Sequence, residues 1–303
     1  MASAWNLAAP HVKGDILCLL DADDLFHPQK LEKVVDAFRR SPRSALLVHS
    51  MTVITGAGAE VQQVPFLSRF EEGWIADRVL KRGGRWRYMP TSSLCFRREL
   101  CPYIFPMDEK LFFSHAETFI VILCPLLAEV TAIEQSLTRY RVHGLNRTGG
   151  HAHDVKTAKR TAITVIETMQ GVNARLAALG MEQRIDEARN LESLQANFIL
   201  ALLDGRPRLK LLRQFRTLSS ALIADDMYGL AQKMLGLFVY GTAIVLPAGW
   251  RGGWFQRTLG FSQIKQRVGK ILGAVRRKLR SSGTARPSDH SVGLDASVEV
   301  AVR

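Results

Sequence analysis

Apolar and polar positions along the chain predict a strand-and-helix half followed by a helical half. Residues 16–20, Ile-Leu-Cys-Leu-Leu, are apolar at every position, which predicts a short strand covered on both faces, of the kind found in parallel sheets. The end of a helix at residues 6–11 precedes it, with a turn at Gly14 and Asp15. Pro28 suits a first helical turn, and Leu31, Val34, Val35 and Phe38 then recur at helical spacing as far as Pro42. Residues 45–55 read as a second strand closed by the Gly56-Ala57-Gly58 turn. Trp74, Ile75, Val79 and Leu80 mark a helix stopped by Gly83-Gly84. Residues 112–127 read as a helix limited by Pro125, and residues 130–133 as a strand.

After Gly149-Gly150 the pattern is helical throughout, at about residues 153–179, 186–203 and 208–236. Residues 234–246 carry no charge, but the run is shorter than the ~20 residues a spanning helix needs, so a buried or interfacial segment is expected. Ile264, Val268, Ile271, Leu272, Val275 and Leu279 form a helical stripe beside Lys265, Arg267, Lys270 and residues 276–280. Such a basic amphipathic helix suits an anionic membrane surface, or else docks on the domain as a solvated helix. From Ser281 the sequence is polar and Gly/Ser/Pro-containing, the composition of a disordered tail.

Composition narrows the partners. Hydrophobic residues make up 47% of the 303 positions and charged residues 23%, which excludes a chain disordered throughout. The formal net charge of +13 calls for an anionic partner: nucleic acid, an anionic membrane or phosphorylated substrates. Residues 251–280 hold nine Lys/Arg and no Asp/Glu, so much of the excess sits near the C-terminal end. Aromatic residues are sparse there, which argues against nucleic acid. Cys18, Cys95, Cys101 and Cys124 show no CxxC spacing and read as reduced, mostly buried thiols. The first residues show no signal-peptide pattern.

The chemistry concentrates at Asp21-Ala22-Asp23-Asp24, directly after the first strand. Carboxylates this close repel one another, and hard oxygen ligands on a short loop suit a divalent cation, Mn²⁺ or Mg²⁺, shared with substrate phosphates. A calcium loop of EF-hand type would place Asp21, Asp23 and Glu32 at its first, third and twelfth positions, but Leu25 and Phe26 stand where a ligand and a glycine are required. A phosphatase of the haloacid dehalogenase type would share Asp21 and Asp23, yet the Gly-Thr or Gly-Val that follows there is absent.

The run Gly14-Asp15-Ile16-Leu17 … Leu20-Asp21-Ala22-Asp23-Asp24 … Pro28-Gln29-Lys30-Leu31-Glu32 closely resembles the Asp-x-Asp region of family 2 glycosyltransferases of the GT-A fold. Two further stretches, in order, are similar to that family: Thr91-Ser92-Ser93-Leu94-Cys95-Phe96-Arg97-Arg98 to its acceptor-side strand, and Tyr140-Arg141-Val142-His143-Gly144-Leu145-Asn146 to its closing element. The resemblance implies roles. Asp23 would ligate the cation between diphosphate oxygens, with His143 as a further metal or phosphate ligand. Asp21 would contact the ribose or a metal-bound water, with Thr91, Ser92, Ser93 and Arg141 on the substrate side. Asp24 would orient the loop and Arg141 anchor it. Glu117, at the start of the helix after the acceptor-side strand, would be the general base, with His115 as the fallback.

The implied fold is α/β: a partial GT-A mixed sheet with helices over residues 1–148, then a helical region at 149–232. An apolar and basic membrane-associating segment at 233–280 and a disordered tail at 281–303 complete the chain. The strands that carry the family's nucleotide-base pocket have no counterpart upstream of residue 16, so the first strand is expected to expose an unpaired edge. A late start, a decayed copy or strands supplied by a partner would each account for that. The function expected is sugar transfer, inverting if the family pattern holds, from a nucleotide-sugar, with UDP-sugar favoured, to a glycan or lipid-linked acceptor. Its place would be the cytoplasmic face of the cell membrane, held there peripherally by the anionic surface. No nucleic-acid partner is expected. A non-catalytic, membrane-associated or partner-binding remnant is the alternative.

Overall fold

A five-stranded mixed sheet organises the first half of the chain, in the computed structural model, which describes residues 1–61, 70–113, 115–143 and 155–258. Helix α1 (Ala2–Ala8) leads into β1 (Ile16–Cys18), β2 (Leu25–Phe26), α2 (Lys30–Arg40) and β3 (Ser44–Thr55). Then follow α3 (Ala76–Lys81), β4 (Leu94–Arg97), α4 (Cys101–Ile104), α5 (Ala116–Leu123) and β5 (Glu129–Val142). The strand order is β1-β4-β3-β5-β2. Long strands β3 and β5 run parallel at the centre, β4 runs antiparallel to β1 and β3, and β2 pairs antiparallel with β5.

Side-chain alternation sends the two faces of the sheet into different packing. Leu47 and Cys95 meet Val34, Ala37 and Phe38 of α2 on one face. Leu46, Val48, Leu94 and Phe96 point the other way, into a core with Val79, Phe119, Ile120 and Leu123. Both faces are thus covered, as the all-apolar 16–20 run implies, but β1 itself pairs antiparallel with β4 and stands at the sheet edge. Its parallel reading is corrected here. A strand apolar at successive positions reports two covered faces and says nothing of its neighbour's direction.

Several boundaries also move. Leu31 is 60% exposed, and the buried stripe of α2 starts instead at Lys30. The 112–127 helix contracts to α5 and a 3-10 turn, Cys124–Leu126, because Pro125 cannot continue an α-helix. The 130–133 strand extends to fourteen residues through Val142.

The second half is helical: α6 (Val155–Ala178), α7 (Leu191–Leu203), α8 (Arg208–Ala224), α9 (Leu230–Val245) and α10 (Ala248–Thr258). The 186–203 pattern starts late because Asn190 caps α7, its Oδ1 accepting from the Ser193 amide at 2.9 Å. The 208–236 pattern breaks at Asp225, whose Oδ1 accepts the amides of Met227 and Tyr228. Met169, Val172 and Leu176 of α6 enter the same core as α5. Gly83 locks the two halves: its φ is +63°, and a Cβ there would lie 2.4 Å from the Asn190 nitrogen. Asn190 returns a hydrogen bond to the Gly83 carbonyl at 2.7 Å. Arg85 pairs with Asp225, both buried, and Arg82 bridges Glu71 and Asp226. Residues 1–257 form one unit. The proposed basic helix at 264–280, the tail at 281–303 and residues Gly144, Leu145 and Asn146 lie outside the described residues.

Candidate active site

The carboxylate loop leaves β1 at the edge where β4 begins and β5 ends. Asp21, Asp23 and Asp24 therefore meet the Thr91–Ser93 turn on one side and Arg141 and His143 on the other. Ser92 Oγ accepts the Asp21 amide at 2.9 Å. Asp24 is 5% exposed, and its Oδ1 accepts the Arg141 amide at 2.9 Å. The Arg141 guanidinium donates to the carbonyls of Asp23 (2.8 Å) and Gly56 (2.8 Å), pinning the end of β5 to the loop and to the turn after β3. His143 Nε2 donates to Asp23 Oδ2 at 2.9 Å, with both side chains partly open to solvent.

Burial and crowding act together on this loop. Burial, then the neighbouring charges of Asp24 and Asp23, push the Asp21 carboxyl above the usual range, and a hydrogen bond from Thr91 partly offsets this. Burial likewise raises Asp24, against hydrogen bonds from Ser92 and the Arg141 amide. Asp24 Oδ2 is buried and, among the described residues, has no hydrogen-bond partner.

Of the expected site residues, Asp21, Asp23, Thr91, Ser92, Arg141 and His143 converge. Thr91, Ser92 and Ser93 are buried, at 4%, 0% and 0% exposure; Thr91 and Ser92 bond Asp21 from beneath, while Ser93 Oγ has no hydrogen-bond partner among the described residues. Glu117 lies in the first turn of α5, and its charge acts on Tyr88, just before the Thr91–Ser93 turn.

One residue was missed. Lys30 is fully buried under the loop, where it donates to the Ser92 carbonyl at 2.8 Å and to Thr138 Oγ1 at 3.3 Å. Its ammonium stands 3.7 Å from the Phe26 ring centroid. Burial lowers its pKa, against the charges of Cys95, Cys18 and Asp24. A lysine in the first turn of an amphipathic helix reads as solvent-facing, so periodicity could not find it. Its place within the Pro-x-Lys-Leu-Glu run was the one available signal.

Whether these groups suit a divalent cation can be tested on their geometry. The 2.9 Å between Asp23 Oδ2 and His143 Nε2 is a hydrogen bond that an ion would replace, Nε2 giving up its proton; adjacent ligands on an octahedral ion with bonds of about 2.1 Å stand about 3 Å apart, a spacing this pair can meet. Among the described residues no three His, Cys, Asp or Glu side chains are grouped to hold an ion alone. The donor set thus fits a cation that takes its other ligands from substrate phosphates and water.

A mixed sheet with a carboxylate loop at its strand ends and a helical C-terminal region defines a GT-A-like α/β fold. Residues 1–104 match Glycosyl transferase family 2, so this part of the chain is similar to that family of enzymes. An uncharacterized glycosyltransferase from Nostoc sp. is 28% identical over 190 residues, covering 62% of this chain and 59% of that protein. The chain thus spans somewhat over half the length of that relative. Staphylococcus aureus TarS, a solved structure, is similar over 80% of this chain and 42% of its own, at 12% identity and a TM-score of 0.37.

Proposed function

We propose that the chain carries the metal-diphosphate side of a glycosyltransferase site, moving a sugar from a nucleotide-sugar, UDP-sugar favoured, to a glycan or lipid-linked acceptor with inversion. The observation that carries this reading is the Asp23–His143 pair, two donors from separate elements held 2.9 Å apart beside a family 2 match. Asp23 and His143 would hold Mn²⁺ or Mg²⁺. When bound, the ion offsets negative charge on the diphosphate leaving group. Arg141 keeps the Asp23 backbone and the end of β5 in fixed relation. Asp21 would meet the ribose or a metal-bound water, held from below by Thr91 and Ser92, and Thr91, Ser92 and Ser93 would line the substrate side. Glu117 would take the proton from the acceptor hydroxyl.

The division of labour follows the chain: sugar chemistry on the sheet of residues 1–148, support from the helices of 149–232. Attachment from 233–280 would keep the enzyme peripheral at the cytoplasmic membrane face, next to a cell-envelope acceptor, and leave 281–303 as tail. No helix among the described residues is long and apolar enough to cross a membrane, which agrees with peripheral attachment.

A non-catalytic, membrane-associated or partner-binding remnant is the second reading; β1 stands at the sheet edge. Titration calorimetry with UDP and Mn²⁺ separates the two. The enzyme reading expects low-micromolar, Mn²⁺-dependent binding and slow donor hydrolysis. Asp23→Ala should reduce both by about two orders of magnitude, in the range for loss of a key electrostatic group. Unchanged hydrolysis in that variant would refute the metal assignment, and absence of any UDP binding would favour the remnant.

A further inference from the structure

Helix α9 is apolar on two opposite faces. Gly236, Val239, Tyr240, Ala243 and Ile244 are buried. They pack inward: Tyr240 meets Phe198 of α7 edge-on at 5.6 Å between ring centroids, and Gly236 lies close against Leu222 of α8. The opposite face carries Leu230, Met234, Phe238 and Val245, each between 59% and 76% exposed. At roughly 100° per residue these four fall within about 80° of arc, a single stripe along the helix. Lys233 is the only charged residue in α9. A helix apolar all round belongs in an interior or against a partner. Just beyond Pro247, Trp250 is 71% exposed.

Helix α8, packed beside α9, decides which partner. It holds Arg208, Lys210, Arg213 and Arg216, all exposed, and no Asp or Glu. Leu209 and Leu212 are exposed between them, at 64% and 50%. A second copy of this chain would bring like charges together, because a two-fold interface sets the same patch against itself. A negatively charged surface with an apolar layer beneath it meets both requirements.

We infer that the outer face of α9, flanked by the basic α8, docks on an anionic lipid bilayer, with α9 lying in the headgroup plane and its four apolar side chains dipping below it. With sixteen residues, α9 is too short to span. The inference rests on the peripheral-membrane part of the proposed function and moves the contact from residues 264–280 into the folded helices.

Sedimentation of the full chain with phosphatidylcholine vesicles, with and without phosphatidylglycerol, tests it at fixed salt. Binding to the anionic vesicles is expected, at least tenfold weaker for Met234→Ser/Phe238→Ser and for Arg213→Gln/Arg216→Gln, with unchanged melting temperatures because all four residues are exposed. Loss of binding in Ile271→Ser/Val275→Ser with no loss in the α9 pair would assign the contact to the C-terminal segment and overturn the inference. So would absence of vesicle binding, or light scattering that finds a dimer which the α9 pair converts to monomer. UDP binding measured on the same variants keeps the outcomes separate: vesicle binding without UDP binding would sink the enzyme reading alone, and the reverse would sink this one alone.

Discussion

Replacing Lys30 with methionine separates what holds the fold from what holds the site. The substitution keeps the length of the buried stem and removes the charge. Taking an ammonium out of water costs several kcal/mol even after relaxation. Against that stand two charge-assisted hydrogen bonds, to the Ser92 carbonyl and Thr138 Oγ1, each worth about 1.5–3 kcal/mol. A desolvated contact with the Phe26 ring adds about 2 kcal/mol. The two sides nearly balance, so Lys30→Met should alter unfolding free energy in urea by no more than about 1–2 kcal/mol in either direction. The Ser92 carbonyl keeps its bond from Thr138 Oγ1 at 2.9 Å, which spares it from being orphaned.

The site should respond differently. Lys30 fixes Ser92, and Ser92 Oγ holds the Asp21 amide, so the loop loses its floor. UDP–Mn²⁺ affinity should fall at least tenfold, a loss of about 1.4 kcal/mol. The sign of the pH dependence follows from the lowered Lys30 pKa. The unfolded chain binds the proton more tightly than the folded one, so between the lowered value and the ordinary 10.5 wild-type stability rises with pH relative to Lys30→Met. Paired urea titrations from neutral to alkaline pH read that slope. A variant that binds UDP–Mn²⁺ as tightly as wild type would refute the reasoning, and so would one that loses more than about 3 kcal/mol of stability, the cost of breaking a well-compensated buried ionic group.

Three further outcomes follow from single residues. Glu117→Gln should leave UDP–Mn²⁺ binding intact while slowing donor turnover by roughly 10²–10⁴, the span of general-base contributions; equal loss of binding would remove Glu117 from that role. Gly83→Ala should cost about 2–5 kcal/mol in urea unfolding, combining a left-handed backbone with a side chain driven into the Asn190 backbone; a cost under about 1 kcal/mol would mean the junction yields easily. In native thiol labelling followed by peptide mapping, Cys101 and Cys18, both partly exposed, should react before the buried Cys95 and Cys124, whose thiols burial holds above the usual range; prompt labelling of Cys95 would contradict the packing of α2 on the sheet.

Much of this was legible because the relevant signals are local. Three short runs, at residues 14–32, 91–98 and 140–146, indicated both the fold and most of the groups that converge. What stayed hidden depends on pairing across distance. The direction of β1 is set by β4, almost eighty residues further on, and β2 is two residues with no periodicity to read. The break between α8 and α9 turns on Asp225, a capping residue whose other oxygen is claimed by Arg85. Lys30 was hidden by its own chemistry, since a lysine is almost never fully buried and no pattern of apolar residues points to one that is.

The structure also gives the three adjacent acids different surroundings, which their spacing could not show. Asp24 is buried, with one oxygen given to the Arg141 amide, so it is spent on holding β5 against the loop. Asp21 is held from beneath by Thr91 and Ser92, with its pKa raised chiefly by burial and then by its two neighbours. Asp23 keeps its side chain 40% exposed and turned toward His143. Repulsion within the triplet is therefore tolerated by distributing the three carboxylates among distinct partners, an amide, a hydroxyl-lined turn and an imidazole, instead of crowding them around one point. A cation arriving with a diphosphate would meet Asp23 and His143 first. Lys30, fully buried under the loop, interacts electrostatically with Asp24 whether or not the cation is there.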